Sequence, residues 1–341
     1  MRRLSAAGVA RAAVIFGALA VFPLLFPAHW VVNMAVFTVM YAGLASAWNL
    51  LGGFSGYLSL GHAAFFGIGA YAIGVLFTHI GVGAGYRPFE VLPAVGVAVA
   101  LLSVPVGWVA LRVRAAAFAI VTISLLFVVQ ELAFNLHGLT HGSQGLALPF
   151  PRFPTATFER PFYWAMLGVF ALAVFACWYV RGSKLGLMLH AIRDDEDRAR
   201  GVGVDVTYAK LVAFSISVGL TAMIGGIWAY YIAFIYPQFA VDPLVTIGAV
   251  LMAFLGGKGT IWGPALGAFI LVPVQQYLAY KLGASELYLV GYSAVFLVIM
   301  LLLPRGILPS IQDRLARRRP DLHGRGIDGT SAGSARERVV A

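Results

Sequence analysis

Residues 181–210 read RGSKLGLMLHAIRDDEDRARGVGVDVTYAK. They hold eleven charges (Arg181, Lys184, Arg193, Asp194, Asp195, Glu196, Asp197, Arg198, Arg200, Asp205 and Lys210), in a chain with 24 basic and 14 acidic residues in all. Long apolar segments flank this stretch on both sides, so it must reach water while its neighbours lie in a membrane. Leu185, Leu189 and Ile192 recur at i, i+4 and i+7. That spacing predicts a short helix over 183–199 with one apolar stripe, capped by Ser183 and ended by Gly201 and Gly203. Such a stripe either docks a partner or packs on the ends of neighbouring spans, and the pattern alone leaves both readings open.

Composition makes the same division. At 60% hydrophobic and 11% charged, the chain is far from the roughly 25% charged residues of a soluble domain. A single cysteine, Cys177, inside an apolar run excludes a disulfide framework and a cysteine-based metal site. The opening MRRLSAAGVARAAVIFGALAVFPLLF has the basic start and apolar centre of a signal peptide but no small-residue cleavage site, and reads as a retained first helix.

Apolar segments fall at about 12–28, 30–51, 57–80, 88–111, 115–137, 162–180, 209–236, 243–256, 260–280 and 286–303. With the N-terminus in the cytoplasm, twenty of the 24 basic residues collect inside; only Arg87, Arg152, Arg160 and Lys281 lie outside. The net charge of +10 therefore reports orientation. These cations flank spans and do not form a nucleic-acid patch. The segment 243–256 is short for a span and could pair with 260–280 as a re-entrant element. Either way both termini are cytoplasmic. The expected architecture is an all-α polytopic transmembrane helical bundle of 8–10 spans with broken or re-entrant helices. The membrane domain runs over 1–303, and 304–341 form a basic cytoplasmic tail too poor in apolar residues to fold.

Two stretches interrupt the apolar runs with glycine: LGGFSGYLSLGHAAFFGIGAYA at 51–72 and LGGKGTIWGPALGAF at 255–269. Such glycines serve close helix packing, as in Gly263/Gly267, or mark broken helices lining a cavity. Asn49, Ser55, Ser59 and His62 cluster at the first break, and polar groups in lipid must find partners. Asn49, Gly56, Ser59, Gly61 and His62 are therefore candidate residues of a translocation path. Glu131, an ionisable residue in the segment 115–137, joins them.

The stretch GGKGT at 256–260 has Gly259 where a phosphate-binding loop needs Ser or Thr after its lysine. No catalytic or metal motif appears, so no cofactor is expected and an enzyme is disfavoured. A secondary transporter of small polar solutes such as urea or amides remains the alternative transport reading.

Four motifs in order, AWNLLGGFSGYLSLGHAAFFGIGAYA, LRVRAAAFAIVTISL, SKLGLMLHAIRDDEDRARGVGVDVTYAKLVAFSISVGLTAMIGGIWA and LGGKGTIWGPALGAF, resemble the permease subunits of branched-chain amino acid ABC transporters, of the LivM type. The resemblance covers roughly 35–305. It implies a non-catalytic inner-membrane subunit that works with a second homologous permease, two ABC ATPase subunits and an extracytoplasmic solute-binding protein, carrying branched-chain or related amino acids. It also implies that 181–208 is the cytoplasmic coupling loop, with Leu185, Leu189, Ile192, Arg193, Asp194, Asp195, Glu196 and Gly203 acting in ATPase coupling. Where the family has an acid-and-alanine core, this chain has Asp197-Arg198-Ala199-Arg200.

Overall fold

The computed structural model describes residues 6–282, 293–294, 297–298, 301 and 306–311. The chain folds as α1 (Ala6–Leu25), α2 (His29–Leu51), α3 (His62–Val75), α4 (Arg87–Ala110), α5 (Ala115–Asn135), α6 (His137–Thr140), α7 (Glu159–Gly182), α8 (Lys184–Asp194), α9 (Glu196–Gly201), α10 (Val206–Ile232), α11 (Pro237–Ala240), α12 (Pro243–Gly256) and α13 (Gly263–Leu282). Among the described residues eight helices are long and apolar enough to cross a membrane: α1, α2, α3 with its π-type extension to Ile80, α4, α5, α7, α10, and α11 continued into α12. This is an all-α polytopic helical bundle. The tenth apolar segment, 286–303, lies largely outside the described residues.

Most apolar segments became helices within a few residues of their expected ends, and the exceptions are physical. The segment 57–80 becomes helical only at His62, because 52–61 forms a turn and then a stretch without regular structure. The helix expected over 183–199 is two helices. Ser183 caps α8 by accepting from the Gly186 N–H (3.4 Å), while Asp195 leaves helical geometry and caps α9 by accepting from Arg198 N–H (3.0 Å). The loop read as 138–161 is tied to the far end of α10 by a two-stranded antiparallel pair, β1 (Leu146–Ala147) with β2 (Phe234–Ile235), in register Leu146 opposite Ile235. Of the tail, only 306–311 are described. Residues 307–311 are helical and Pro309 lies against Gly257, so the segment read as an unfolded tail begins docked on the bundle.

α10 and α2 form the centre. α10 packs against α3, α4, α2 and α7; α2 packs against α7, α13, α10 and α12. The α3–α10 contact is backbone on backbone: a Cβ on Gly69 would strike the Ala222 carbonyl, and one on Gly225 the Phe66 carbonyl. Small residues at these crossings replace the hydrophobic drive that lipid removes. Gly267 and Gly256 do the same between α13 and α12, where a Cβ would meet the carbonyls of Met252 and Gly263. Gly225→Ala is expected to force α3 and α10 apart and to destabilise the bundle by about 1–3 kcal/mol. An unfolding titration in mixed micelles should register the drop, whereas Gly168→Ala, with open space around its Cα, should leave the midpoint in place.

Candidate functional site

The two glycine breaks meet. Asn49, at the last turn of α2, donates from Nδ2 to the Thr260 carbonyl (2.9 Å) and accepts at Oδ1 from the Gly259 N–H (2.8 Å). One buried amide thus bridges the turn after α2 and the turn after α12. The irregular stretch 56–61 and the first turn of α3 are satisfied in the same way. Leu60 N–H donates to Thr122 Oγ1 (3.0 Å), Ala63 N–H to Thr246 Oγ1 (2.7 Å), and Trp48 Nε1 to the Ser59 carbonyl (2.8 Å). Backbone freed from a helix inside a membrane protein needs such partners, since lipid supplies none.

His62 closes this polar core. Its Nδ1 lies 3.0 Å from Ser59 Oγ and its Nε2 2.7 Å from Ser217 Oγ, while the Ser217 hydroxyl donates to the Ala47 carbonyl (2.6 Å). With the Ser217 proton directed at Ala47, Nε2 is the donating nitrogen and Nδ1 accepts from Ser59. Asn49, Ser59, Gly61 and His62 are all buried. These candidate path residues therefore form a closed, hydrogen-bonded core of this chain rather than the wall of a cavity. Gly56, at φ +77°, sits against the Cγ of Arg193, and a Cβ on Gly61 would lie 2.6 Å from the Thr122 carbonyl. Their lack of a side chain answers local geometry. Glu131 stands apart, exposed on α5 among Phe127, Val128 and Leu132.

The charged segment is fastened to this core. Arg193 Nη1, from α8, donates to the Gly53 carbonyl (3.0 Å), and its Cγ lies beside Gly56. Glu196, opening α9, accepts from Tyr57 Oη at Oε2, and from Arg200 Nη2 (2.7 Å) and Lys210 Nζ (3.3 Å) at Oε1. Burial alone would raise the Glu196 pKa, but the Tyr57 hydroxyl, the Lys210 charge and Arg200 together hold it below the usual carboxylate value. Burial first, and then Glu196, push the Tyr57 phenol far above its ordinary range.

The apolar stripe turns inward. Leu189 is 0% exposed and Ile192 4%, with Leu185 half-buried, all packed on the chain's own membrane domain. Of the two readings that the pattern left open for the stripe, packing on the chain's own spans is the one these side chains take. What α8–α9 offers outward is a hollow of about 360 Å³ lined by Ala191, Asp194, Asp195, Arg198, Ala199 and Val202. Leu187 and Val202 stand 70% and 80% exposed on this segment. Gly203, at φ +87°, follows in the exposed turn that ends α9. Sequence reasoning did not single out Tyr57 or Lys210. The signal for Lys210 was its place inside the apolar segment 209–236, where an ionisable residue marks a site by default.

The chain is thus a multi-pass helical bundle with a broken stretch and one structured, charged segment anchored to it. The chain belongs to the family described as branched-chain amino acid transport system / permease component, whose model matches residues 30–304. It is 27% identical over 313 residues to the high-affinity branched-chain amino acid transport system permease protein LivM of Salmonella typhimurium, covering 83% of this chain and 71% of that one. The LivM of Escherichia coli aligns to the same extent. The autoinducer 2 import system permease protein LsrC of Salmonella paratyphi B is 31% identical over 111 residues, 31% of this chain and 32% of that one. No solved structure matches.

Asn49→Ala would leave the Gly259 N–H and the Thr260 carbonyl without their side-chain partner in the interior, at about 1–3 kcal/mol. The thermal unfolding midpoint in detergent should fall. An unchanged midpoint would mean that packing alone holds the two turns together.

Proposed function

We propose that this chain is the permease subunit of an ATP-driven importer of branched-chain or related amino acids, coupled through 181–208 to a separate ATPase subunit. The observation that carries it is the α8–α9 segment, folded and anchored to the bundle on one side while its other side presents the hollow at Ala191, Asp194, Arg198 and Val202 with the apolar Leu187 and Val202 uncovered. A rigid exposed helix pair fits a groove in a nucleotide-hydrolysing partner, a role this chain leaves open because it carries no phosphate-loop motif. The LivM relatives, high-affinity branched-chain amino acid transport system permeases by name, support the solute class.

In this reading the chain is not an enzyme, 1–303 form the membrane domain of an inner-membrane protein, and both termini and 181–208 face the cytoplasm. It works with a second permease, two ATPases and an extracytoplasmic binding protein. The solute path runs between two permeases, past the exposed face of α5. Ser124, Glu131 and Asn135 form a line there at i, i+7 and i+11, and polar groups along one face of an apolar helix disfavour contact with lipid.

Docking through the outward face makes a distinction the stripe cannot. Leu187→Glu and Val202→Glu, in water in the free subunit, should leave the fold intact and weaken ATPase co-purification by about thirty-fold or more, the loss of one interface hot spot of about 2 kcal/mol. Leu189→Asp should instead unfold α8 from the bundle. Full ATPase recovery with both glutamates present would remove this face from the assembly. Orientation is checked separately by labelling intact cells in a Cys177→Ala background: a cysteine at Thr155 should react with an impermeant reagent and one at Val202 should not.

A further inference from the structure

Among the described residues Lys210 is the one Lys, Arg, Asp or Glu that is wholly buried, at 0% exposure. It lies near the start of α10, and three other parts of the chain converge on its ammonium. Nζ donates to Tyr57 Oη (2.9 Å) from the stretch 52–61, to Glu196 Oε1 (3.3 Å) from α9, and to the Leu111 carbonyl (3.4 Å) at the end of α4. It also stands 4.1 Å from the centroid of the Tyr57 ring. Glu196 in turn accepts from the Tyr57 hydroxyl, so acid, base and phenol form a closed triangle across three elements.

A triangle of this kind is a poor device for stability. An apolar set of similar volume is often as stable as a buried ion pair, whereas removing one partner strands a charge and is strongly destabilising. The asymmetry gives the pair another property. Apolar surfaces can slide across one another while staying covered, but the buried Lys210 ammonium cannot part from the half-buried Glu196 carboxylate without being left unpaired in the interior. Displacement of α9 must then carry Tyr57 with it, and Tyr57 lies two residues before Ser59, which holds Trp48 and His62 in the closed polar core. The second fastening, Arg193 to the Gly53 carbonyl, acts on the same stretch.

We propose that Lys210 is a positioning residue of the transport cycle: buried itself, it forms with Glu196 the ionic link through which movement of α8–α9 is transmitted to the stretch 52–61 by way of Tyr57. This rests on the reading of the chain as an ATP-coupled permease, and it assigns to Lys210 and Glu196 a role inside the subunit, apart from the face that docks a partner.

The test uses the whole transporter, with ATPase and binding protein, in proteoliposomes and with radiolabelled leucine, isoleucine and valine as solutes. The readouts are amino acid taken up per ATP hydrolysed and the thermal midpoint of the complex. Lys210→Met alone and Glu196→Gln alone should lower the midpoint. The double variant Lys210→Met/Glu196→Gln, which removes both charges, should recover the midpoint yet lose uptake per ATP by about tenfold. The reversed pair Lys210→Glu/Glu196→Lys should recover part of that ratio. Wild-type uptake per ATP in the double variant would overturn the proposal and leave the triangle a packing feature. A loss of uptake that merely follows the loss of folded complex would overturn it equally. Wild-type vesicles without ATP-driven uptake would overturn the importer reading itself, and the linkage with it.

Discussion

Backbone that leaves helical geometry inside an apolar bundle must have its hydrogen bonds supplied by side chains, and much of this structure is arranged around that requirement. The stretch 52–61 is where it applies. Asn49 ties this break to the turn at 259–260, Thr122 and Thr246 take the N–H groups that α3 cannot, and Ser59, His62 and Ser217 close the remaining valences. The partners come from α2, α5, α10 and α12, so the helices cannot be moved independently without opening that network. A break of this kind fixes the relative positions of elements that lipid alone would leave free to rotate.

The charged segment obeys a related rule. An amphipathic helix beside a membrane domain covers its apolar stripe with whatever surface is nearest, and for α8 that surface is the chain's own. Leu189 and Ile192 therefore anchor, and the face left outward is formed by Leu187, Ala191 and Arg198 on the two helices and Val202 in the turn after them. Anchoring on one side holds the other side rigid with respect to the bundle, as the proposed coupling to a partner requires.

Spans, the close packing around Gly263 and Gly267, and the cap at Ser183 were legible in the sequence, because each is a local pattern with one physical cause. The family was legible for the same reason, as four motifs in order. The break at Asp195 was not: Asp in the middle of a charged run reads equally well as a helix surface residue and as a cap, and only its side-chain bond to the Arg198 N–H decides. Asn49, Ser59 and His62 were found together in the sequence, but not their setting. A cluster of Asn, Ser and His in an apolar run shows that partners exist, without saying whether those partners are water in a channel or backbone in a core. Here they are backbone and hydroxyls of the same chain.

Lys210 marks the boundary between these two kinds of information. Its charge placed it with the loop cations, and the apolar residues after it placed it in a span; both are true, since it is buried at the level where the bundle meets the charged segment. A lysine stem is long enough to cross that boundary, with its methylenes among apolar neighbours and its ammonium among Tyr57, Glu196 and the Leu111 carbonyl. No shorter basic or apolar side chain joins α4, α9, α10 and the broken stretch at one atom. The same residue that is ambiguous in the sequence is thus the one through which the charged segment and the broken helices are held in a single register.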